Sequence, residues 1–296
     1  MTRVICIGEC MIERRPGGAE AFAGDAFNVA VHIKQGAPEF QVAFASATGD
    51  DAESERMRRA WARFGIDGSL SPAIPGGRIG AHSVETDAVG ERRFSYDRAN
   101  SAARRWFEQL APRGEAMTGA DLVFLSGVSL AILPPEQRLP AVAFVTGLKA
   151  KMLVFDPNVR PALWESHEAM AEPLEAVMAK AEVLLPSLDD LRELWGEASP
   201  DALLKRCRAL GAPEVALTLG ASGCLLYAGV EPTVRLPAVA AKVVDTGGAG
   251  DAFDGAYLAY RLQGKSPEDA ACAGLQRAAL TVAARGALPM ELFPCP

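Results

Sequence analysis

The chain has 296 residues, long for one ordinary domain but common for an α/β domain built around one large sheet. Hydrophobic residues make up 49% and charged residues 23%, a balance that supplies a sizeable core and excludes long disorder. The formal net charge of -7 argues against nucleic acid or an anionic membrane as partner, since either needs a clustered basic face; a small anion held by two or three arginines stays possible.

In chain order, Val4 to Ile7 is a short β-branched run ending at Gly8, which predicts a strand buried on both faces. Similar runs at Val42 to Ala45, Leu122 to Leu125, Met152 to Phe155, Val183 to Leu185 and Val215 to Leu219 predict further strands. Helical spacing covers Asn28 to Gln35, Asp51 to Phe64, Gln137 to Lys149, His167 to Ala181 and Leu203 to Leu210. Strands alternating with helices imply a mostly parallel sheet covered on both faces, with ligands beyond the carboxyl ends of its strands. Two segments break the rhythm. Met11 to Ala23 is rich in Gly and charge, and Arg78 to Arg98 reads as a hairpin turning at A-V-G-E beside which the first segment could pair. A small strand-built appendage of this kind would serve as a lid.

Cys6, Cys10, Cys207, Cys224, Cys272 and Cys295 form no C-x-x-C pair, and the first, third, fourth and fifth sit in apolar or helical runs that read as core thiols. His32, His82 and His167 are scattered, so no His/Cys spacing suggests zinc. The opening M-T-R-V-I-C-I-G lacks the apolar stretch of a signal peptide, and no run of about 18 apolar residues could span a bilayer, so a cytoplasmic protein without membrane partners is expected.

The densest chemistry lies at Asp245 to Asp251, D-T-G-G-A-G-D, before a helical stretch from Ala252 to Leu262. Gly247, Gly248 and Gly250 let successive backbone N–H groups approach an anion at a helix N-terminus. Asp251, in the first turn, is placed to take a hydroxyl proton while those amides stabilise a transferred phosphoryl group. The plainer reading is a Gly-rich turn with a capping Asp. No Gly-Lys-Ser/Thr follows, so this is not a Walker A loop, and it is not G-x-G-x-x-G.

D-T-G-G-A-G-D-A-F-D-G-A-Y resembles the C-terminal signature of the ribokinase-like carbohydrate kinases, the PfkB family. The likeness extends along the chain through V-I-C-I-G-E-C-M-I-E, A-G-D-A-F-N-V-A, E-T-D-A-V-G-E-R-R-F-S-Y-D-R, L-S-G-V-S-L-A-I-L, D-P-N-V-R-P-A-L-W and L-D-D-L-R-E-L-W-G, which look like the branch acting on 2-keto-3-deoxygluconate. The resemblance implies a ribokinase-like three-layer α/β/α sandwich over 1–296, with a mostly parallel central sheet and a small β-sheet lid formed by parts of 9–25 and 77–99. It implies ATP and Mg²⁺ as co-reactants and phosphorylation of the sugar's 6-hydroxyl. Asp251 is then the base, and Gly248, Ala249 and Gly250 form the anion hole.

For the substrate, Gly24, Asp25 and Asn28 occupy the place of the family's hydroxyl-binding element, although Asn28 could equally cap a helix. Tyr96 and Arg98, two apart and so on one strand face, correspond to groups that reach the keto acid, as does Arg160. His82 stands where these kinases generally place a lid tyrosine. For the nucleotide, T-L-G-A-S-G assigns Thr218, Gly220 and Gly223, joined by Ser187, Gly248 and Gly250. Where relatives have N-x-x-E for a water-mediated Mg²⁺ contact, this chain has Ser187-Leu188-Asp189-Asp190, leaving Asp190 as the candidate. A homo-oligomer is expected by analogy. The rivals are a kinase of a neutral sugar or nucleoside and a ligand-binding protein that no longer transfers phosphate.

Overall fold

A computed structural model describes residues 1–14, 20–86, 92–229, 232–289 and 292–293. The elements run β1 Arg3–Ile7, β2 Met11–Arg14, β3 Glu20–Ala23, α1 Asp25–Gly36, β4 Gln41–Ala45, β5 Thr48–Gly49, α2 Ala52–Arg63, β6 Ala73–Ile74, β7 Gly80–Thr86 and β8 Arg92–Asp97. They continue with α3 Trp106–Leu110, β9 Leu122–Ser126, α4 Gly127–Ala131, α5 Pro135–Thr146, β10 Leu153–Asp156, α6 His167–Met178, β11 Val183–Leu184, α7 Leu188–Trp195, α8 Pro200–Ala209, β12 Glu214–Thr218, β13 Cys224–Ala228, β14 Val234–Leu236, α9 Ala249–Leu262 and α10 Pro267–Val282.

Eight strands form one sheet in the order β14-β13-β12-β11-β10-β9-β1-β4, parallel except where β13 pairs with β12 and β14. Alternation along β1 sends Ile5 and Ile7 into one apolar core and Val4 and Cys6 into the other, as expected of a strand buried on both faces. The first core is closed by residues of α5, α6, α7 and α8; the second by α1, α9 and α10 through Phe27, Phe253, Tyr257 and Ala271. The order in which strands are added reverses at β1, because β4 lies on one side of it and β9 on the other, all three parallel. A crevice at the carboxyl ends of such neighbouring strands is where this architecture binds ligands.

β3-β2-β7-β8 make a second sheet, in which β2 runs antiparallel to β3 and parallel to β7. It leaves the main sheet at the carboxyl end of β1. The segment before Ala23 therefore does pair beside the hairpin of β7 and β8. The expected turn at Ala88 to Glu91 lies outside the described residues, as do 15–19 and Cys295.

Three expectations change. The first helix starts at Asp25 rather than Asn28: Gly24 holds the cap position, and the Asn28 N–H already donates to the Gly24 carbonyl at 2.7 Å, so Asn28 is not the cap. Cys6, Cys10, Cys207 and Cys224 are buried thiols, but Cys272 is exposed because its neighbours on α10 take the inward face. A helix over 267–282 was not among the expected elements, although Ser266-Pro267-Glu268-Asp269 starts one: the Ser266 hydroxyl accepts the Asp269 N–H at 3.1 Å and Pro267 opens the first turn.

Candidate active site

Asp251 lies in the first turn of α9, partly buried, after a glycine turn that Asp245 shapes. One Asp245 carboxylate oxygen accepts the Gly247 N–H at 3.0 Å and the other accepts the Gly286 N–H at 2.9 Å, tying the turn to the chain beyond α10. Gly248 has φ 75, the left-handed region, and a Cβ there would come within 2.7 Å of Ala287. At Gly250 a Cβ would meet nothing within 4 Å, so this part of the turn faces open space. Backbone amides at an open helix N-terminus suit an anion.

The Asn28 side-chain amide donates to the Asp251 carboxylate at 2.7 Å. That bond requires α1 and α9 to touch nearly backbone to backbone, and Gly255, one turn beyond Asp251, permits it. A Cβ at Gly255 would overlap the His32 side chain and lie 2.9 Å from the Val29 carbonyl oxygen. Burial raises the Asp251 pKa to about 7, helped by the negative charge of Asp25, while the Asn28 hydrogen bond and the Arg160 charge pull it down. A carboxylate poised near neutral pH is suited to accept and release a proton.

Asp25 anchors the next part. Its carboxylate accepts hydrogen bonds from the Ser126 hydroxyl, at the end of β9, and from the Asn158 amide at 2.9 Å. Asn158 has φ 34, and its N–H donates to Asp156 at 3.0 Å. This turn after β10 delivers Arg160, whose side chain is 55% exposed. Asp190 holds the turn from the other side: one oxygen accepts the Val159 N–H at 2.7 Å and lies 3.3 Å from an Arg160 nitrogen, and the other accepts the Ser187 hydroxyl proton at 2.5 Å. Burial and neighbouring carboxylates push Asp156 and Asp254 well above the usual carboxylate range. Asp254, one turn after Asp251, is 2% exposed and its second oxygen has no hydrogen-bond partner among the described residues.

Ser187 caps α7 through the Asp190 N–H and bridges to Thr218, whose own N–H donates to the Pro186 carbonyl at 3.0 Å. Gly220 (φ 55) and Gly223 (φ 94) turn β12 into β13. A Cβ at Gly220 would meet nothing within 4 Å, whereas at Gly223 it would overlap the Leu236 carbonyl.

Tyr96, Arg98 and His82 gather on the second sheet. His82 faces Tyr96 across β7 and β8, their rings 5.9 Å apart, and lies 3.8 Å from the Glu13 carboxylate. Arg98 lies over the Tyr96 ring, 5.5 Å from its centre, and is ion-paired with Glu9. The structure thus places Asp25, Asn28, Arg160 and Asp251 within one electrostatic field, sets Ser187 beside Thr218, and groups the three second-sheet residues separately. Glu9, Ser126, Asp156, Asn158, Asp254 and Gly255 were not singled out from sequence. The D-x-x-D-G spacing after Gly250 was the available signal for two of them.

A hollow of about 640 Å³ opens at the other end of β1 and β4, among Arg3, Lys34, Gln41 and Asp67, and no candidate site residue lines it. Among the described residues no helix is long and apolar enough to cross a membrane.

A parallel sheet with a second small sheet at its carboxyl edge, and a carboxylate in the first turn of a glycine-led helix, define a phosphotransferase architecture. The pfkB family carbohydrate kinase model matches residues 1–292, and the chain belongs to that family. Among similar proteins are the 2-dehydro-3-deoxygluconokinase of Dickeya dadantii, 37% identical with 98% of each chain covered, and that of Escherichia coli K12, 37% identical with 99% of each covered. In fold the chain is similar to a PfkB protein from Polaromonas sp. JS666 (TM-score 0.84, 24% identity, 99% of this chain and 100% of that one). It is similarly close to aminoimidazole riboside kinase from Salmonella enterica (TM-score 0.83, 23% identity, 98% of each chain).

Proposed function

We propose that the chain transfers the γ-phosphoryl group of ATP to the 6-hydroxyl of 2-dehydro-3-deoxygluconate, the compound also called 2-keto-3-deoxygluconate. The observation that supports this reading is the Asn28–Asp251 contact beside the open glycine turn, a carboxylate next to a helix N-terminus whose amides suit an anion. The names of the relatives at 37% identity support the substrate.

Asp251 takes the hydroxyl proton as that oxygen attacks the γ-phosphorus; the bond from phosphorus to the β–γ bridging oxygen breaks, and ADP leaves. The backbone of Gly248, Ala249 and Gly250 stabilises the charge on the moving group. Gly24, Asp25 and Asn28 hold sugar hydroxyls. Arg160, Arg98 and Tyr96 take the acid end, and His82 contributes to the roof. Thr218, Gly220, Gly223 and Ser187 receive the nucleotide, where the open backbone at Gly220 suits close approach. Magnesium, arriving with ATP, neutralises β/γ-phosphate charge. Asp190, with both oxygens already hydrogen-bonded, fits contact through one of the ion's waters better than direct coordination. The second sheet acts as a lid that excludes water. The protein is placed in the cytoplasm, and pairing of copies through the lid follows by analogy with the family.

The test is an ADP-release assay across 2-dehydro-3-deoxygluconate, fructose, ribose and adenosine. Turnover with the keto acid far above the others is expected; preference for a neutral sugar would overturn the substrate, and no ADP release with any would overturn catalysis.

A further inference from the structure

We propose that Glu9 is a positioning residue that aims Arg98 at the acid end of the substrate and so sets selectivity for a carboxylate; the inference rests on the keto acid reading above. Glu9 is 2% exposed, and such a carboxylate is costly unless charge-paired and hydrogen-bonded. One of its oxygens takes the Nε and Nη2 of Arg98 at 3.1 and 2.5 Å; the other takes the Ser101 hydroxyl at 2.7 Å. Glu9 therefore holds one edge of the planar guanidinium and leaves the Nη1 end for a second carboxylate.

The position of Glu9 makes this more than a local ion pair. It follows β1 and leads into β2. A Cβ on Gly24, which ends the β3 connection, would overlap its backbone carbonyl, and a Cβ on Gly80, which opens β7, would lie 3.0 Å from its side chain. Arg98 and Ser101 follow β8. The roots of all four second-sheet strands thus meet at one residue, and the same residue borders the turn that carries Asp25 and Asn28. Any movement of that sheet carries Arg98 with it, along a path pivoted on Glu9.

Electrostatics gives the pair its purpose. An unpaired Glu9 would repel an incoming carboxylate, and an untethered Arg98 would lose side-chain freedom on binding it. Paired, the two carry no net charge and leave the Nη1 end of Arg98 for the substrate, while the more exposed Arg160, itself 3.3 Å from Asp190, offers a second guanidinium.

The test uses the full chain, with steady-state kinetics for 2-dehydro-3-deoxygluconate, for its analogue with the carboxylate reduced to an alcohol, and for ATP. Glu9→Gln keeps the shape and removes the charge. It is expected to raise the keto acid KM about tenfold, with the ATP KM and the analogue's kcat/KM changed less than about twofold. In an Arg98→Ala background the same substitution should add little further loss. Ser101→Ala, which keeps Glu9 and removes one hydrogen bond, is the milder variant expected to fold and to move the keto acid KM in the same direction. Equal losses with acid and analogue, or full additivity with Arg98→Ala, would overturn the role of Glu9. If the wild type instead prefers a neutral sugar, the substrate reading fails, and the Glu9/Arg98 cycle run with that sugar still decides whether the pair is coupled.

Discussion

On the floor of the cleft, Asn28 and Asp251 meet because two helices approach closely enough to exclude even a methyl group at Gly255. On the second sheet, strand pairing sets His82 opposite Glu13 and Tyr96, and Tyr96 remains 56% exposed. The floor is set by backbone packing, which tolerates almost no displacement. The outer face of the roof carries exposed charges and rings that reorient at low cost. In the function proposed above, the proton acceptor sits on the first and sugar recognition on the second.

The strongest blow to the floor is Asp251→Asn. Turnover is expected to fall about 10²- to 10⁴-fold while both substrates still bind, measurable by steady-state kinetics and calorimetry. The same change should stabilise the fold at alkaline pH. With its pKa raised to about 7, Asp251 favours folding in its protonated form, and that advantage is lost as pH rises from the usual carboxylate range of about 4 through about 7. A melting-temperature gain present at pH 8 and absent at pH 4 is expected; no gain at pH 8 would remove burial as the cause of the shift. Next in size is Gly255→Ala, which wedges α1 from α9 and should cost about 1 to 3 kcal/mol in denaturant unfolding together with a fall in kcat. Unchanged kcat would separate the helix contact from the chemistry.

Asn28→Ala sharpens the comparison by moving pH dependence rather than structure. In the wild type, kcat/KM should climb with pH through about 7 as Asp251 gives up its proton. Removing a hydrogen bond that lowers this pKa should shift the climb to higher pH, read from the pH–rate profile. The roof supplies the smallest effect. Where α2 meets the edge of that sheet, Glu53 of α2 pairs with Arg14 of β2 and with Arg56 of its own helix at 3.0 and 3.5 Å between well-exposed side chains, so Glu53→Ala should change unfolding stability by less than about 1 kcal/mol.

The buried apolar runs made β1, β4, β9 and β10 legible within a residue or two, because a strand covered on both faces has no polar alternation to confuse it. The position of Asp251 in the first turn of a glycine-led helix was legible because the glycines and the carboxylate fall within a few residues. Glu9 and Gly255 were not. Glu9 reads as an ordinary polar residue after a strand until three segments far apart in sequence converge on it, and Gly255 reads as a weak helix position until α1 is packed against it. Asn28 was read as a candidate cap because its helix start was placed one turn late; its N–H bond to the Gly24 carbonyl puts the cap at residue 24.

The bond between Asn28 and Asp251 joins positions 223 residues apart. The face of α1 that carries Val29 and His32 must therefore wait for α9 to arrive and cover it, whereas Phe27 packs early on Phe44, Trp61 and Phe64. Contacts of such long sequence separation close slowly and late. During synthesis or refolding, the Asn28–Asp251 contact forms only when α1 and α9 have found each other across that separation, so a return of activity would report long-range assembly and not the formation of any one local element.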